Sequence, residues 1–212
     1  MSNLENKLFE KGDKVNKDTR QSNYSINKTF AKVELELYLV GEGLKPAFLE
    51  GVRKDSSEIA LIRKRAKQYN INYITAERPY SILLVGGKNS SAVMDSVLNG
   101  DTEKIGLSLG YPEDAVKYFS KEFGKRRVAE ENFQYPILKA KNEGKEIPDW
   151  LAYISYIPEK LDIINGNVSD SSRCLGERYM NYVRKNNPYL AEVVESSFKR
   201  YIDTLYRSKH VH

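Results

Sequence analysis

Apolar residues recur with two different periods along this chain, and the points where the period changes divide it into elements. Large apolar residues are sparse and without a period in residues 1–27, a stretch rich in Asn, Lys, Ser and Asp. Such a segment buries too little surface to offset its ordering entropy, so a disordered polar arm is expected there. From Phe30 the pattern reads two ways. Val33, Leu35, Leu37 and Leu39 alternate as on a strand, whereas Phe30, Val33, Leu37 and Val40 form a helical stripe. Glu34, Glu36 and Leu37 are good helix formers, and Gly41 and Gly43 supply a stop, so the spacing predicts a helix. Leu44-Lys-Pro-Ala-Phe-Leu49 reads as a short apolar connector. Ser56 and Ser57 then open a helix that turns Ile59, Ile62, Ala66 and Tyr69 inward and Lys64, Arg65 and Lys67 outward.

The period switches to two over 71–75 and 80–85, two strands whose connector Ala76-Glu-Arg-Pro79 is short enough for a hairpin. After Gly86-Gly87 the remainder reads as helices over 90–98, 102–109, 112–123, 129–142, 149–156, 171–185 and 188–207. The last has the clearest stripe, Leu190, Val194, Phe198, Tyr201 and Leu205. Asn186-Asn-Pro188 breaks the final two helices into an antiparallel pair. The expected fold is therefore α+β and mostly helical. A small β-hairpin is packed by helices, a helical pair closes the chain, and residues 28–212 form a single globular domain.

Composition narrows the function classes. The chain has 212 residues, 40% hydrophobic and 30% charged, which suits one soluble domain. The longest apolar run is Ile82-Leu-Leu-Val85, so no membrane span is expected. The first residues lack an apolar core of the kind a secretory signal needs, and the expected location is cytoplasmic. One cysteine, Cys174, excludes an internal disulfide and a multi-thiolate zinc site. The two histidines, His210 and His212, lie at the very end, so a two-His metal motif in the folded body is excluded; no metal ligand is assigned and no cofactor is expected.

The net charge of +5 is unevenly placed: from Arg173 onward eight Lys/Arg face four Asp/Glu. Lys125, Arg126, Arg127, Arg173 and Arg178 are candidate phosphate contacts, and Tyr111 and Tyr182, two of fifteen tyrosines, are candidate base-stacking rings. The competing reading is a solvated basic surface with most tyrosines in the core. Gly86, Gly87, Lys88 and Ser90 form a glycine turn at a helix start, where free N–H groups could hold an anion. Leu83 and Asn89 stand where a phosphate-binding P-loop needs Gly and Ser/Thr, so a capped glycine turn is the simpler reading. Glu113, Asp114 and Glu159, with Asp162, are candidate catalytic acids or hard-metal ligands. Cys174, with Arg173 and Arg178 nearby, is the candidate nucleophile. Helix capping, for the acids, and core packing, for the cysteine, are the plainer alternatives.

One stretch combines several of these features: Leu107-Ser-Leu-Gly-Tyr-Pro-Glu-Asp-Ala-Val-Lys-Tyr-Phe119. Gly110 permits positive φ, Pro112 suits the first helical position, and Glu113 and Asp114 complement the helix dipole. The segment from Leu109 resembles the Leu-Gly-Tyr-Pro-Glu-Cys-Cys-Val-x-x-Phe signature of an uncharacterised prokaryotic domain family, common in archaea. That family's second motif, His-x-Pro-Cys followed by Cys-x-x-Ser-x-x-Leu-Gly, is similar to Tyr156-Ile-Pro-Glu159 and Ser169-Asp-Ser-Ser172-Arg-Cys-Leu-Gly176. The resemblance covers about residues 30–182. It places the family's cysteines at Asp114, Ala115, Glu159 and Ser169 and its histidine at Tyr156, and so implies a scaffold that has lost its thiolate ligands. Three functions stay open at this point. A non-enzymatic accessory protein that binds RNA or DNA comes first. An enzyme or degenerate enzyme with a carboxylate site, Mg-dependent or not, near the Gly-Tyr-Pro turn is the alternative, and a protein–protein adaptor is the third.

Overall fold

The computed structural model describes residues 31–122 and 130–210. The predicted polar arm and the Lys125-Arg126-Arg127 cluster lie outside the described residues.

The first helix, α1 over 31–41, explains its double pattern. Val33, Leu37 and Val40 pack on a sheet and a second helix, while Leu35, Tyr38 and Leu39 pack on the C-terminal helices. A helix buried on two sides is apolar nearly all round, so an alternating and a helical set of residues coexist in it. Gly43, at φ +70°, turns the chain out of the helix.

What reads in sequence as an apolar connector is the start of a strand, β1 (Ala47–Arg53). Its alternation is masked by Glu50 and Gly51, which interrupt the apolar positions on both faces. β2 (Tyr73–Glu77) and β3 (Ser81–Gly87) form the predicted hairpin. The sheet has three strands in the order β1-β3-β2, both pairings antiparallel. The central strand β3 is covered on both sides, which accounts for its continuous apolar run. Leu84 faces α1 and α2 (Glu58–Gln68). Val85 faces α3 (Ser90–Leu98), the neighbour of α4 (Thr102–Ser108).

α5 (Glu113–Glu122) follows the Gly-Tyr-Pro turn. A π-helical turn (Glu130–Gln134) leads into α6 (Tyr135–Asn142). The predicted helix over 149–156 is only a 3-10 turn, Asp149–Tyr153. Its end has a consequence. Ile154 is already extended (φ −105°, ψ 147°), and this delivers Ser155 and Tyr156 to a pocket wall. A two-residue ladder, β4 (Leu161–Asp162) with β5 (Asn167–Val168), precedes α7 (Asp170–Asn186) and α8 (Pro188–His210). Asn187 caps α8 by accepting from the Leu190 N–H at 3.1 Å. Gly176 of α7 lets that helix approach the 3-10 turn, because a Cβ there would lie 2.6 Å from Trp150 Cε3. No helix among the described residues is long and apolar enough to cross a membrane.

Candidate functional site

Three connecting segments meet beside α1: residues 44–46, the Gly110-Tyr111-Pro112 turn and residues 154–156. Two glycines hold the first segment in place. A Cβ on Gly87 (φ +109°) would lie 2.5 Å from the Pro46 carbonyl oxygen, and one on Gly110 (φ +80°) would lie 2.6 Å from Pro46 Cδ. Pro46 is thus gripped between two glycine turns that have no room for side chains.

The neighbouring Lys45 is only 3% exposed. Its ammonium donates to the Glu36 carboxylate, itself 5% exposed, and to Ser155 Oγ at 3.2 Å. It also lies 4.9 Å from the centre of the Tyr111 ring. Burial pulls the Lys45 pKa down, but the Glu36 charge and hydrogen bond outweigh it and hold the group above its ordinary value. Lys45 is therefore a fixed cation.

Ser155 Oγ donates in turn to the Tyr111 hydroxyl at 3.1 Å. The Tyr111 ring packs against Tyr156, with centroids 4.9 Å apart. The Tyr156 and Ser172 hydroxyls are both shielded from solvent and have no partner beyond each other among the described residues. Burial pushes the Tyr156 phenol well up; Ser172 opposes that shift, and the Tyr179, Asp114 and Tyr111 oxygens add to it. Behind this pair, Asp114 accepts hydrogen bonds from Ser169 and Ser171 and from the Ala115 N–H at 2.8 Å. Desolvation raises the Asp114 pKa, but these hydrogen bonds outweigh it and leave the carboxyl below its usual range.

The cluster borders a half-enclosed pocket of about 440 Å³. Apolar side chains, among them Ile105, Val116, Phe119, Phe133, Ile154 and Phe198, make most of its wall. Tyr111, Ser155 and Tyr156 contribute polar atoms, and the exposed Lys32 stands on its lining. On the sheet side, Glu50 of β1 adds an acid near Lys45. Burial raises its pKa to about 7; Lys32 and Lys45 act against that, and Glu36 and Glu58 with it.

The sequence candidates distribute unevenly around this site. Asp114 and Tyr111 belong to it. Asp114 and Ser169, two positions where the resemblance sets cysteines, are hydrogen bonded, and Tyr156, its histidine position, is adjacent. Ala115, another cysteine position, lines the pocket. Glu113 points outward to pair with Lys117, Glu159 is exposed, and Asp162 accepts from Asn165 at 2.7 Å. Cys174 is exposed on α7. Among the described residues no group of three or more His, Cys, Asp or Glu could hold a metal ion. Arg173 is exposed and pairs with Asp170; Arg178 is exposed and lies over the Tyr179 ring at 5.4 Å. The Tyr182 hydroxyl donates to Glu42 at 2.6 Å. In the glycine turn, the Gly87 N–H goes to the Asn72 carbonyl and the Asn89 N–H to the Pro46 carbonyl. Gly86 makes room for Phe48, Lys88 is exposed, and Ser90 opens α3 behind Asn89, the N-cap.

Sequence reasoning missed Glu36, Lys45, Glu50 and Ser155. The available signal was an opposite pair of charges at otherwise apolar positions, Glu36 within the α1 stripe and Lys45 within an apolar connector. No family model, curated protein or solved structure matches this chain.

Two outcomes are expected from the charge arrangement. Lys45→Met strands a buried carboxylate and should cost about 3–5 kcal/mol in urea unfolding. Glu36→Leu combined with Lys45→Met should recover most of that loss, and a double variant no more stable than the single would contradict the pairing. Glu50 supplies a pH signature. In the folded chain it keeps its proton up to about pH 7, whereas the unfolded chain releases it near the ordinary value of 4.5. Wild-type stability should therefore fall as pH rises from about 4.5 to 7. Glu50→Gln should raise the melting temperature more at pH 8 than at pH 5, and an equal shift at both would count against a raised Glu50.

Proposed function

We propose that this protein binds a small, mainly apolar molecule in the pocket between α5, α8 and the 154–156 segment. One observation carries the reading: a mainly apolar pocket of about 440 Å³ has a few polar side chains on its lining, Tyr111 and Ser155 of the Lys45 cluster among them. That volume and that division of lining are what small-molecule sites need, because the apolar wall supplies burial and a few polar groups supply orientation.

Binding fits the chemistry better than covalent catalysis. A nucleophilic serine needs a neighbouring base, and Ser155 has an ammonium donor in that place, held protonated by Glu36. Tyr156 keeps its proton, and Asp114 already accepts from two serines.

Nucleic-acid binding is the second reading, and one specific observation favours it. Arg63, Lys64 and Lys67 of α2 line an open depression beside Asn70, Asn72 and Tyr73, where cations and an aromatic ring lie together. Arg63→Glu with Lys64→Glu should weaken binding to short single-stranded RNA or DNA in fluorescence anisotropy and flatten its salt slope. Unchanged affinity would remove this surface from consideration.

The pocket reading is tested with Ser197→Trp. Ser197 is a half-buried residue of α8 on the pocket lining, so an indole there should fill the space. The wild type should bind N-phenyl-1-naphthylamine with a rise in fluorescence, and the variant should bind it at least about tenfold more weakly with an unchanged circular dichroism spectrum. Equal affinity would contradict the pocket as the binding site.

A further inference from the structure

We infer that the pocket selects ligands whose polar end is a hydrogen-bond acceptor, a carbonyl or carboxylate oxygen, over ligands that end in an ammonium. The inference rests on the ligand-binding reading above and specifies its chemistry. It follows from the direction in which protons are donated along one chain of side chains. An ammonium has donors only, so Lys45 fixes both its partners, Glu36 and Ser155, as acceptors. Ser155 has one proton, and with its oxygen occupied by Lys45 it donates that proton to the Tyr111 oxygen at 3.1 Å. Tyr111 has accepted, and its own proton has no partner among the described residues. The relay therefore ends in an O–H on the pocket lining, with its polarity set by a charge two residues back.

The Tyr156 ring supports this donor from the side, its centroid 4.9 Å from that of Tyr111, while its own hydroxyl is shielded from solvent beside Ser172. An acceptor oxygen can take the Tyr111 proton, whereas an ammonium would bring further donors to a donor. Lys32 on the same lining adds positive potential, which again favours an acceptor and opposes an ammonium.

The test uses the full-length protein and four naphthalenes of similar size, with binding read by displacement of N-phenyl-1-naphthylamine. These are 2-ethylnaphthalene, 2-acetylnaphthalene, 2-naphthoate and 2-(aminomethyl)naphthalene in its ammonium form. The hydrocarbon tests the pocket alone. The ketone and the carboxylate should bind about tenfold tighter than the ammonium, as one net hydrogen bond allows. Tyr111→Phe removes the hydroxyl that ends the relay and keeps the ring, so it should reduce that preference severalfold with an unchanged circular dichroism spectrum. A folded variant that keeps the full preference would overturn the inference. If the hydrocarbon binds and the ammonium binds as tightly as the ketone, the acceptor preference is overturned and the pocket reading survives. Should the hydrocarbon fail to bind at all, the pocket reading fails and this inference falls with it.

Discussion

Lys45 has been taken out of water and placed where α1, the Gly-Tyr-Pro turn and the 154–156 segment meet. A buried ammonium demands a counter-charge and further acceptors, since the desolvation cost of an unpaired ion is several kcal/mol. Glu36 supplies the charge from α1, Ser155 supplies an acceptor, and the Tyr111 ring presents its face. Each comes from a different part of the chain, so meeting the needs of one side chain fixes three segments relative to one another. Tyr111 and Ser155, once those needs are met, are also part of the pocket's lining.

The surrounding fold exists to hold that junction. α1 lies between the sheet and the C-terminal helices, so the carboxylate that Lys45 needs is carried on a helix buried on two sides. Gly87 and Gly110 clamp Pro46 from two sides, leaving Lys45 little freedom to turn outward. Gly176 seats α7 on Trp150, and this sets the 3-10 turn from which Ser155 and Tyr156 emerge. Asp114 ties α5 to the start of α7 through Ser169 and Ser171. The glycines and the polar bonds therefore serve the same end: they fix backbone that regular secondary structure does not.

Much of the fold was legible because it depends on local pattern. The hairpin, the helices α2, α3 and α7 and the mostly helical α+β class follow from period and punctuation. β1 was not legible, because Glu50 and Gly51 break its alternation and only the neighbouring β3 makes it a strand. The site was legible in part. Asp114 and the Gly-Tyr-Pro turn stood out, and the resemblance drew attention to Ser169 and Tyr156. What was hidden is which of two adjacent acids turns inward: Glu113 and Asp114 look alike in sequence, yet on a helix they point in different directions, one to Lys117 and one to two serines. The pairing of Glu36 with Lys45 was hidden for a related reason, since it depends on where α1 ends and how the chain turns back.

The most direct measurement is an NMR pH titration of the Lys45 side chain, followed at Cε and at the ζ protons. The account predicts a group that stays protonated above the ordinary lysine value of 10.5, with ζ protons protected from exchange with water. A Lys45 that titrates at or below that value, or whose ζ protons exchange as fast as those of an exposed lysine, would contradict the central pairing and the donor polarity built on it.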